Sequence, residues 1–157
     1  MRVIGGTAKG RRLLAPEGTD VRPTSDRARQ ALFTMLDARL GGVEDLDVVD
    51  LACGSGALGI EALSRGAASC AFVDSSRRSL AAAKANLKAV GLDHAKALFV
   101  GDDIESWQKR QAGRSIDLVM ADPPYAWDGW RALLDALAGV ADIVVAESDR
   151  DIPPTEG

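Results

Sequence analysis

The stretch Asp50-Leu51-Ala52-Cys53-Gly54-Ser55-Gly56-Ala57-Leu58-Gly59 decides the fold. It joins an apolar run to a segment with helical spacing, so its glycines form a GxGxxG pattern between a strand and a helix. Glycines at such a junction let backbone amides approach a ligand closely, and the helix N-terminus favours negative charge. A glycine-rich turn also ends many strands, but its position before a helix favours a ligand-binding loop.

Apolar runs and helical segments alternate along the rest of the chain. This alternation predicts an α/β fold with a doubly wound, mostly parallel sheet covered by helices on both faces. In such sheets ligands bind beyond the carboxyl ends of the strands. The predicted strands are Leu46 to Leu51, Cys70 to Val73, Ala97 to Val100, Ile116 to Ala121 and Ile143 to Ala146, and the predicted helices lie near 57–65, 77–90, 104–111 and 128–138.

The N-terminal region carries two other patterns. Arg2-Val3-Ile4 and Arg12-Leu13-Leu14, separated by glycine turn signals, predict a small β-hairpin. Thr24-Ser25-Asp26 then offers capping oxygens to a helix whose apolar stripe runs from Ala28 to Leu40. We therefore expect an arm at residues 1–22 that is not an independent domain, followed by one α/β domain at 23–157.

Charge is divided unevenly between these two parts. The first 30 residues hold seven basic and three acidic side chains, whereas the whole chain has a net charge of −4. A basic arm on an acidic body indicates a polyanionic partner, although such a cluster can also be a solvated surface.

Composition excludes several classes of protein. The 157 residues are 46% hydrophobic and 27% charged, which is typical of a single globular domain. No run approaches the roughly 18 apolar residues of a membrane span, and the N-terminus lacks the apolar core of a signal peptide, so we expect a cytoplasmic protein. Two cysteines without a CxxC pair and a single histidine, His94, argue against a disulfide framework and a metal site.

Acidic residues follow the predicted strands. Asp74 ends the second strand, where a carboxylate can accept both ribose hydroxyls; capping of the next helix is the alternative, and the glycine loop favours the ribose. Asp102 and Asp103 follow the third strand, where either could cap a helix or accept from an adenine amine.

Asp122-Pro123-Pro124-Tyr125 follows the fourth strand. Two consecutive prolines fix φ and remove two N–H donors, so the carbonyl groups point in set directions. A carboxylate, a carbonyl and an aromatic ring in one rigid segment suit a planar base with an exocyclic amine, which would donate to the oxygens and stack on the ring. A tight turn with a solvent-facing tyrosine is the alternative that this position disfavours.

These motifs resemble those of class I S-adenosylmethionine-dependent methyltransferases that act on amines. Residues 50–59 are similar to the cofactor loop of that class, and residues 122–125 to its (D/N)PP(Y/F) motif. Ile4-Gly5-Gly6, Lys9-Gly10-Arg11-Arg12-Leu13 and Arg22-Pro23-Thr24-Ser25-Asp26-Arg27-Ala28-Arg29 closely resemble the bacterial 16S rRNA (guanine-N2)-methyltransferase D family, RsmD, as does the segment from Gly56 to Gly66.

The resemblance implies a Rossmann-like class I methyltransferase with an N-terminal β-hairpin arm. It would transfer the methyl group of S-adenosylmethionine to N2 of one guanine in 16S rRNA, leaving S-adenosylhomocysteine. Its catalytic residues would be Asp122, Pro123, Pro124 and Tyr125. Its cofactor-binding residues would be Thr24, Asp26, Asp50, Ala52, Gly54, Ser55, Gly56, Asp74, Asp102 and Asp103. Its RNA-binding residues would be Arg2, Lys9, Arg11, Arg12 and Arg22.

The family normally adds an antiparallel strand pair after the fifth strand, and this sequence stops soon after Glu147, so we expect either a trimmed sequence or the absence of that pair. The expected partner is 16S rRNA, within small-subunit particles, bound by a monomer with no membrane or metal. Three alternatives remain: an NAD-dependent oxidoreductase, a non-catalytic RNA-binding module, and a DNA adenine-N6 or cytosine-N4 methyltransferase. Only the last uses residues 122–125, and the N-terminal resemblance disfavours it.

Overall fold

The computed structural model describes residues 1–15, 25–124 and 126–147. One helix precedes a strict alternation of strands and helices in the described residues. The helices are α1 (Asp26–Leu40), α2 (Ala57–Ser64), α3 (Arg77–Ala89), α4 (Ile104–Lys109) and α5 (Trp130–Leu137). The strands are β1 (Asp47–Leu51), β2 (Ser69–Asp74), β3 (Ala97–Gly101), β4 (Ile116–Ala121) and β5 (Ala141–Ala146).

The strands form one parallel sheet in the order β3-β2-β1-β4-β5. Leu51, at the end of β1, is paired with Val73 of β2 on one side and with Ala121 of β4 on the other. The chain adds β2 and β3 on one side of β1 and then returns to add β4 and β5 on the other side, so the strand order reverses between β1 and β4. The segments after β2, β1 and β4 therefore emerge side by side. This confirms the predicted doubly wound α/β fold. In folds of this kind ligands bind where the strand order reverses, which here is between β1 and β4.

Alternate residues of the central strands face opposite layers. Val48 packs with α1, α2 and α3 through residues such as Phe33 and Ile60, whereas Val49 packs with α4 and α5 through residues such as Trp107. Both faces of the sheet are thus covered, which explains why its strands are continuous apolar runs.

The boundaries of several elements differ from the prediction. The last helix begins at Trp130 instead of residue 128, because the Trp127 amide donates to the Pro124 carbonyl at 2.9 Å in a turn that precedes it. The helix near 104–111 ends at Lys109, and β5 begins at Ala141, two residues before the predicted start.

The predicted hairpin is reduced to a single antiparallel bridge between Arg2 and Arg12. Backbone hydrogen bonds from Leu13 to Met1 at 2.8 Å and from Val3 to Arg11 at 2.9 Å flank this bridge. Beyond Val3 the amides of Ile4 and Gly5 donate to the Glu61 carboxylate of α2 instead, at 2.8 and 2.9 Å. Val3, Ala8 and Leu13 are buried in the core beside α1, α2 and α3. The arm is therefore packed against the domain along its described length.

Ser25 is the N-cap of α1, and its side chain accepts from the Ala28 amide. Thr24, the other capping candidate, lies outside the described residues, as do residues 148–157, so the absence of the antiparallel strand pair stays an expectation. Among the described helices, none has the length and apolar character needed to cross a bilayer.

Candidate active site

The glycine loop after β1 bends through three residues with positive φ: Ala52 (59°), Gly54 (54°) and Gly56 (81°). A Cβ atom at Gly56 would lie 2.8 Å from the Ala83 Cβ, so α3 closes one side of the loop. Glycine is required at this position both by conformation and by space.

Gly59 serves packing. A Cβ atom there would collide with the Phe72 ring and lie 2.7 Å from the Cys70 Sγ, so the missing side chain lets α2 approach β2. The Gly59 amide also donates to the Asp50 Oδ2 at 2.9 Å. The third glycine of the pattern thus holds the helix against the sheet.

Three carboxylates surround this loop. Asp50 is 1% exposed, and burial raises its pKa well above the ordinary value. The Gly59 amide lowers the pKa of Asp50, while the negative charges of Asp122 and Asp74 raise it further. The sequence-predicted Asp50, Asp74 and Asp122 are therefore brought together beside the loop.

Asp74 ties the end of β2 to the loop after β1. Its Oδ2 accepts from the Gly54 amide and its Oδ1 from the Ser76 amide, both at 2.9 Å. The N-cap of α3 is Ser76, whose hydroxyl accepts from the Ser79 amide. Each Asp74 oxygen keeps a second lone pair, which the ribose hypothesis requires.

The pair after β3 divides into two roles. Asp103 is exposed and caps α4 by accepting from the Ser106 amide at 2.7 Å, and this hydrogen bond lowers the pKa of Asp103. Asp102 is largely buried, its carboxylate contacts the Arg110 guanidinium, and its amide donates to the Asp74 carbonyl at 3.0 Å. Of the two, Asp102 is the one whose backbone adjoins the predicted ribose acid.

The predicted catalytic segment follows β4, next to β1, where the strand order reverses. The Asp122 amide approaches the Leu51 carbonyl at 3.4 Å, so the residue after β4 is joined to the start of the glycine loop. Asp122 is half-buried, Pro123 is buried and Pro124 is exposed. Tyr125 lies outside the described residues.

A family model described as "Conserved hypothetical protein 95" matches residues 1–154. The chain belongs to this family. Membership confirms the resemblance to RsmD that residues 4–13, 22–29 and 56–66 carry.

Curated relatives and a solved structure agree with this membership. The chain is 39% identical to the "Putative rRNA methyltransferase YlbH" of Bacillus subtilis over all of its own length and 88% of that protein. It is 35% identical to the Escherichia coli "Ribosomal RNA small subunit methyltransferase D" over 80% of the chain and 60% of that protein. The structure titled "Putative methyltransferase yhhF from Escherichia coli" has a TM-score of 0.75 and 31% identity, over 94% of this chain and 75% of that one. The fold is thus the Rossmann-like fold of class I methyltransferases.

Arg29 and Glu61 form a buried ion pair that sequence reasoning missed, with the exposed Asp26 at its outer end. Arg29, 0% exposed, contacts the Asp26 carboxylate and donates to the Glu61 Oε1 at 3.1 Å. Glu61 also accepts from Arg65 Nε at 2.9 Å. This cluster holds α1, α2 and the arm together; Asp26, predicted near the cofactor, takes part in it and also accepts from the Arg2 amide.

Asn86 of α3 is a second residue that the sequence did not reveal. Its side chain exchanges two hydrogen bonds with the Leu14 backbone and donates to the Ser55 carbonyl at 2.9 Å. One buried amide thus joins the arm to the glycine loop. No local pattern marks Asn86, because its partners are 72 and 31 residues away in the chain.

The predicted RNA-binding residues of the arm are exposed: Arg2, Lys9, Arg11 and Arg12. The Arg2 guanidinium donates to the Gly10 carbonyl and so stiffens the turn between Arg2 and Arg12. Arg22 lies outside the described residues.

The remaining candidates behave as packing or surface groups. Cys53 and Cys70 are buried free thiols, and burial raises the pKa of both, which disfavours a nucleophilic thiolate. His94 is exposed in a turn. In the part of the chain that the structure describes, no three His, Cys, Asp or Glu residues are grouped so that they could hold a metal ion.

Proposed function

We propose that this protein transfers the methyl group of S-adenosylmethionine to N2 of a guanine in 16S rRNA. At the coarser level it is an rRNA methyltransferase that uses S-adenosylmethionine, in keeping with its family and its fold. The observation that supports the finer proposal is the hydrogen bond from the Asp122 amide to the Leu51 carbonyl, because Asp122, a proposed amine acceptor, then lies directly beside the predicted cofactor loop.

The acceptor groups around the loop suit the hydroxyls and the amine of the cofactor. Asp74 offers carboxylate lone pairs to ribose hydroxyls, Asp102 lies next to it for an adenine amine, and the positive-φ loop keeps side chains out of the way. Ala52, Ser55 and Gly56 line this turn, and Thr24 and Asp26 are proposed near the methionine end. S-adenosylmethionine, when bound, supplies a methyl group already activated by the sulfonium charge.

Asp122 and Pro123 are proposed to accept the two N–H bonds of the guanine amine. The amine is a poor nucleophile because its lone pair is delocalised into the ring. Acceptors on both N–H bonds favour a pyramidal nitrogen and stabilise the positive charge that develops on it. The Pro123 carbonyl is the proline acceptor in this proposal, and the Pro124 carbonyl accepts from the Trp127 amide.

Tyr125 is proposed to stack on the extruded base, a contact worth on the order of 1–3 kcal/mol. Orientation of the amine supplies much of the remaining acceleration. The proton of the methylated amine leaves to Asp122 or to water.

The exposed basic arm is proposed to bind RNA phosphates. It is fixed to α2 by Glu61 and to α3 by Asn86, so it would present its charges in one orientation relative to the site. The protein is proposed to act as a monomer on small-subunit particles in the cytoplasm.

A methyl-transfer assay with three substrates tests the proposal. Labelled S-adenosylmethionine is supplied with methyl-deficient 16S rRNA, assembled small subunits or duplex DNA, and the modified base is mapped. We expect label at guanine N2 of rRNA. Label only in DNA would support the adenine-N6 or cytosine-N4 alternative, and rRNA binding without any label would support the non-catalytic one.

A titration separates the oxidoreductase alternative. We expect binding of S-adenosylhomocysteine and no binding of NADH by calorimetry. The nicotinamide hypothesis gives no role to residues 122–125, and tight NADH binding without S-adenosylhomocysteine binding would contradict the proposed function.

A further inference from the structure

Trp127 and Glu105 join two loops on either side of the proposed site. The Trp127 indole N–H donates to the Glu105 Oε1 at 2.9 Å. Glu105 is in the first turn of α4, which begins immediately after Asp102 and Asp103. Trp127 follows the catalytic segment by two residues. One hydrogen bond therefore connects the segment after β3, predicted to bind adenine, with the segment after β4, predicted to bind the target base.

Trp127 is held by its backbone and by both sides of its ring. Its amide donates to the Pro124 carbonyl at 2.9 Å, which fixes the chain on the far side of position 125. Its ring meets the buried Trp130 ring edge-on, with centroids 5.0 Å apart and an interplanar angle of 81°. A Cβ atom at Gly129 would lie 2.5 Å from the Trp127 Cζ2, so the absence of a side chain there makes room for the indole.

Helix α4, which carries Glu105, is also held in place. Asp103 caps α4 through the Ser106 amide, and Trp107 of the same helix is buried with Trp130 in the core layer below the sheet. Glu105 thus projects from a helix that is fixed at its first turn and along its buried face. The hydrogen bond is on the protein surface, and together with the edge-to-face aromatic pair it favours one orientation of the indole.

We infer that Trp127 is a positioning residue for the target amine, held by Glu105, and that the pair sets the distance between the segment after β4, which carries Asp122 and Pro123, and the segment after β3, which carries Asp102. This inference rests on the proposed function. The role is indirect: Trp127 acts through the Pro124 carbonyl and so through the backbone of Asp122 and Pro123. Small displacements of an acceptor from its productive position cost rate far more than they cost binding.

The first test is kinetic and uses paired variants. Trp127→Phe keeps a ring and removes the N–H, Glu105→Ala removes the acceptor, and Glu105→Gln keeps an acceptor oxygen. We expect kcat on 16S rRNA to fall about tenfold in the first two and by less than about twofold in Glu105→Gln. The dissociation constant for S-adenosylhomocysteine should stay within about twofold of the wild-type value in all three. Asp135→Ala, which removes an exposed carboxylate of α5, is the matched control and should leave kcat unchanged.

The double variant Glu105→Ala/Trp127→Phe should be no slower than Trp127→Phe alone, because both changes remove the same hydrogen bond. Losses that multiply, or a kcat unchanged in both single variants, would overturn the inference. Loss of S-adenosylhomocysteine binding in step with kcat would assign the pair a merely structural role and overturn it as well.

The second test does not depend on catalysis. The chain has three tryptophans, so Trp127→Phe identifies the Trp127 indole signal in a nitrogen-15 NMR spectrum by its loss. We expect this indole proton to exchange with solvent about tenfold faster in Glu105→Ala, and at the wild-type rate in Glu105→Gln and Asp135→Ala. Unchanged exchange in Glu105→Ala would overturn the inference. If exchange responds as expected but the wild-type protein methylates no RNA, the proposed function fails and the link between the loops stands.

Discussion

The Asp50 carboxyl group lies in the core beneath the glycine loop, and its burial opposes its own ionisation. Its pKa in the folded chain is raised well above the ordinary value, and the charges of Asp122 and Asp74 add to this effect. Between the unfolded and the folded pKa the native state keeps a proton that the unfolded chain has lost. The free energy of unfolding contributed by Asp50 is therefore present at low pH and is lost as pH rises through the folded pKa.

Asp50→Asn should remove the loss of unfolding free energy that Asp50 causes as pH rises. The amide oxygen can still accept from the Gly59 amide, and no charge is left to desolvate. Urea denaturation at several pH values from 4 to 8 should show the variant gaining on the wild type as pH rises. Asp103→Asn is the control, because the pKa of this exposed carboxyl is lowered, and so its contribution is lost as pH falls. An Asp50→Asn variant that loses ground at high pH would contradict the assignment.

Asp122 is the residue on which the proposed chemistry depends. Asp122→Asn keeps the size of the side chain and replaces one acceptor with a donor. Loss of a group that stabilises developing charge lowers the rate by roughly 10²–10³. We expect that fall in kcat on 16S rRNA, with S-adenosylhomocysteine affinity changed by no more than a few-fold. A variant with wild-type kcat would remove Asp122 from the reaction.

At the scale of elements, α2 is positioned by a single missing side chain. Gly59→Ala would bring a methyl group against the Phe72 ring and the Cys70 Sγ, and both neighbours are buried. Overpacking of this kind destabilises by about 1–3 kcal/mol. Gly101→Ala is the matched control, because the nearest atom to its Cβ would be 3.7 Å away. Denaturant titration should separate the two variants by at least about 1 kcal/mol, and equal stabilities would show that α2 shifts at little cost.

Elements with local patterns were predictable. The glycine loop, the five strands and the helices follow from residues that are neighbours in sequence, and the GxGxxG pattern correctly predicted a loop between β1 and α2. Glu61, Asn86 and the Glu105–Trp127 pair could not be found this way. Each depends on contacts between residues at least 22 apart in the chain, whose proximity only the packed fold creates. The C-terminal end of α4 and the N-terminal end of α5 were predicted wrongly, because turns formed by backbone hydrogen bonds leave little trace in the amino-acid composition.

At the scale of the whole molecule, Asn86 joins the arm to the domain. Asn86→Ala would leave the buried Ser55 carbonyl and the partly buried Leu14 amide and carbonyl without this partner. Unpartnered buried groups cost about 1–3 kcal/mol each, so we expect a loss of about 2–4 kcal/mol in the free energy of unfolding. Lys88→Ala, an exposed change on the same helix, should cost less than about 0.5 kcal/mol. Similar losses in both variants would show that the arm is held by other contacts.

The division of charge along the chain predicts how RNA binding responds to salt. Arg11 and Arg12 are exposed on an arm that Glu61 and Asn86 fix to the domain, so their charges act from a defined place. Each phosphate contact that a basic side chain makes releases a counterion, and removing one contact lowers the slope of log affinity against log salt by about 1. We expect Arg11→Ala/Arg12→Ala to reduce that slope by about 1–2 in filter binding with 16S rRNA. Arg114→Ala, an exposed change just before β4 and so at the opposite end of the strands from the glycine loop, should leave the slope unchanged. A double variant with the wild-type slope would show that Arg11 and Arg12 contact no phosphate and that the RNA binds elsewhere. An arm that attracts a polyanion by its charge must change the salt dependence when that charge is removed.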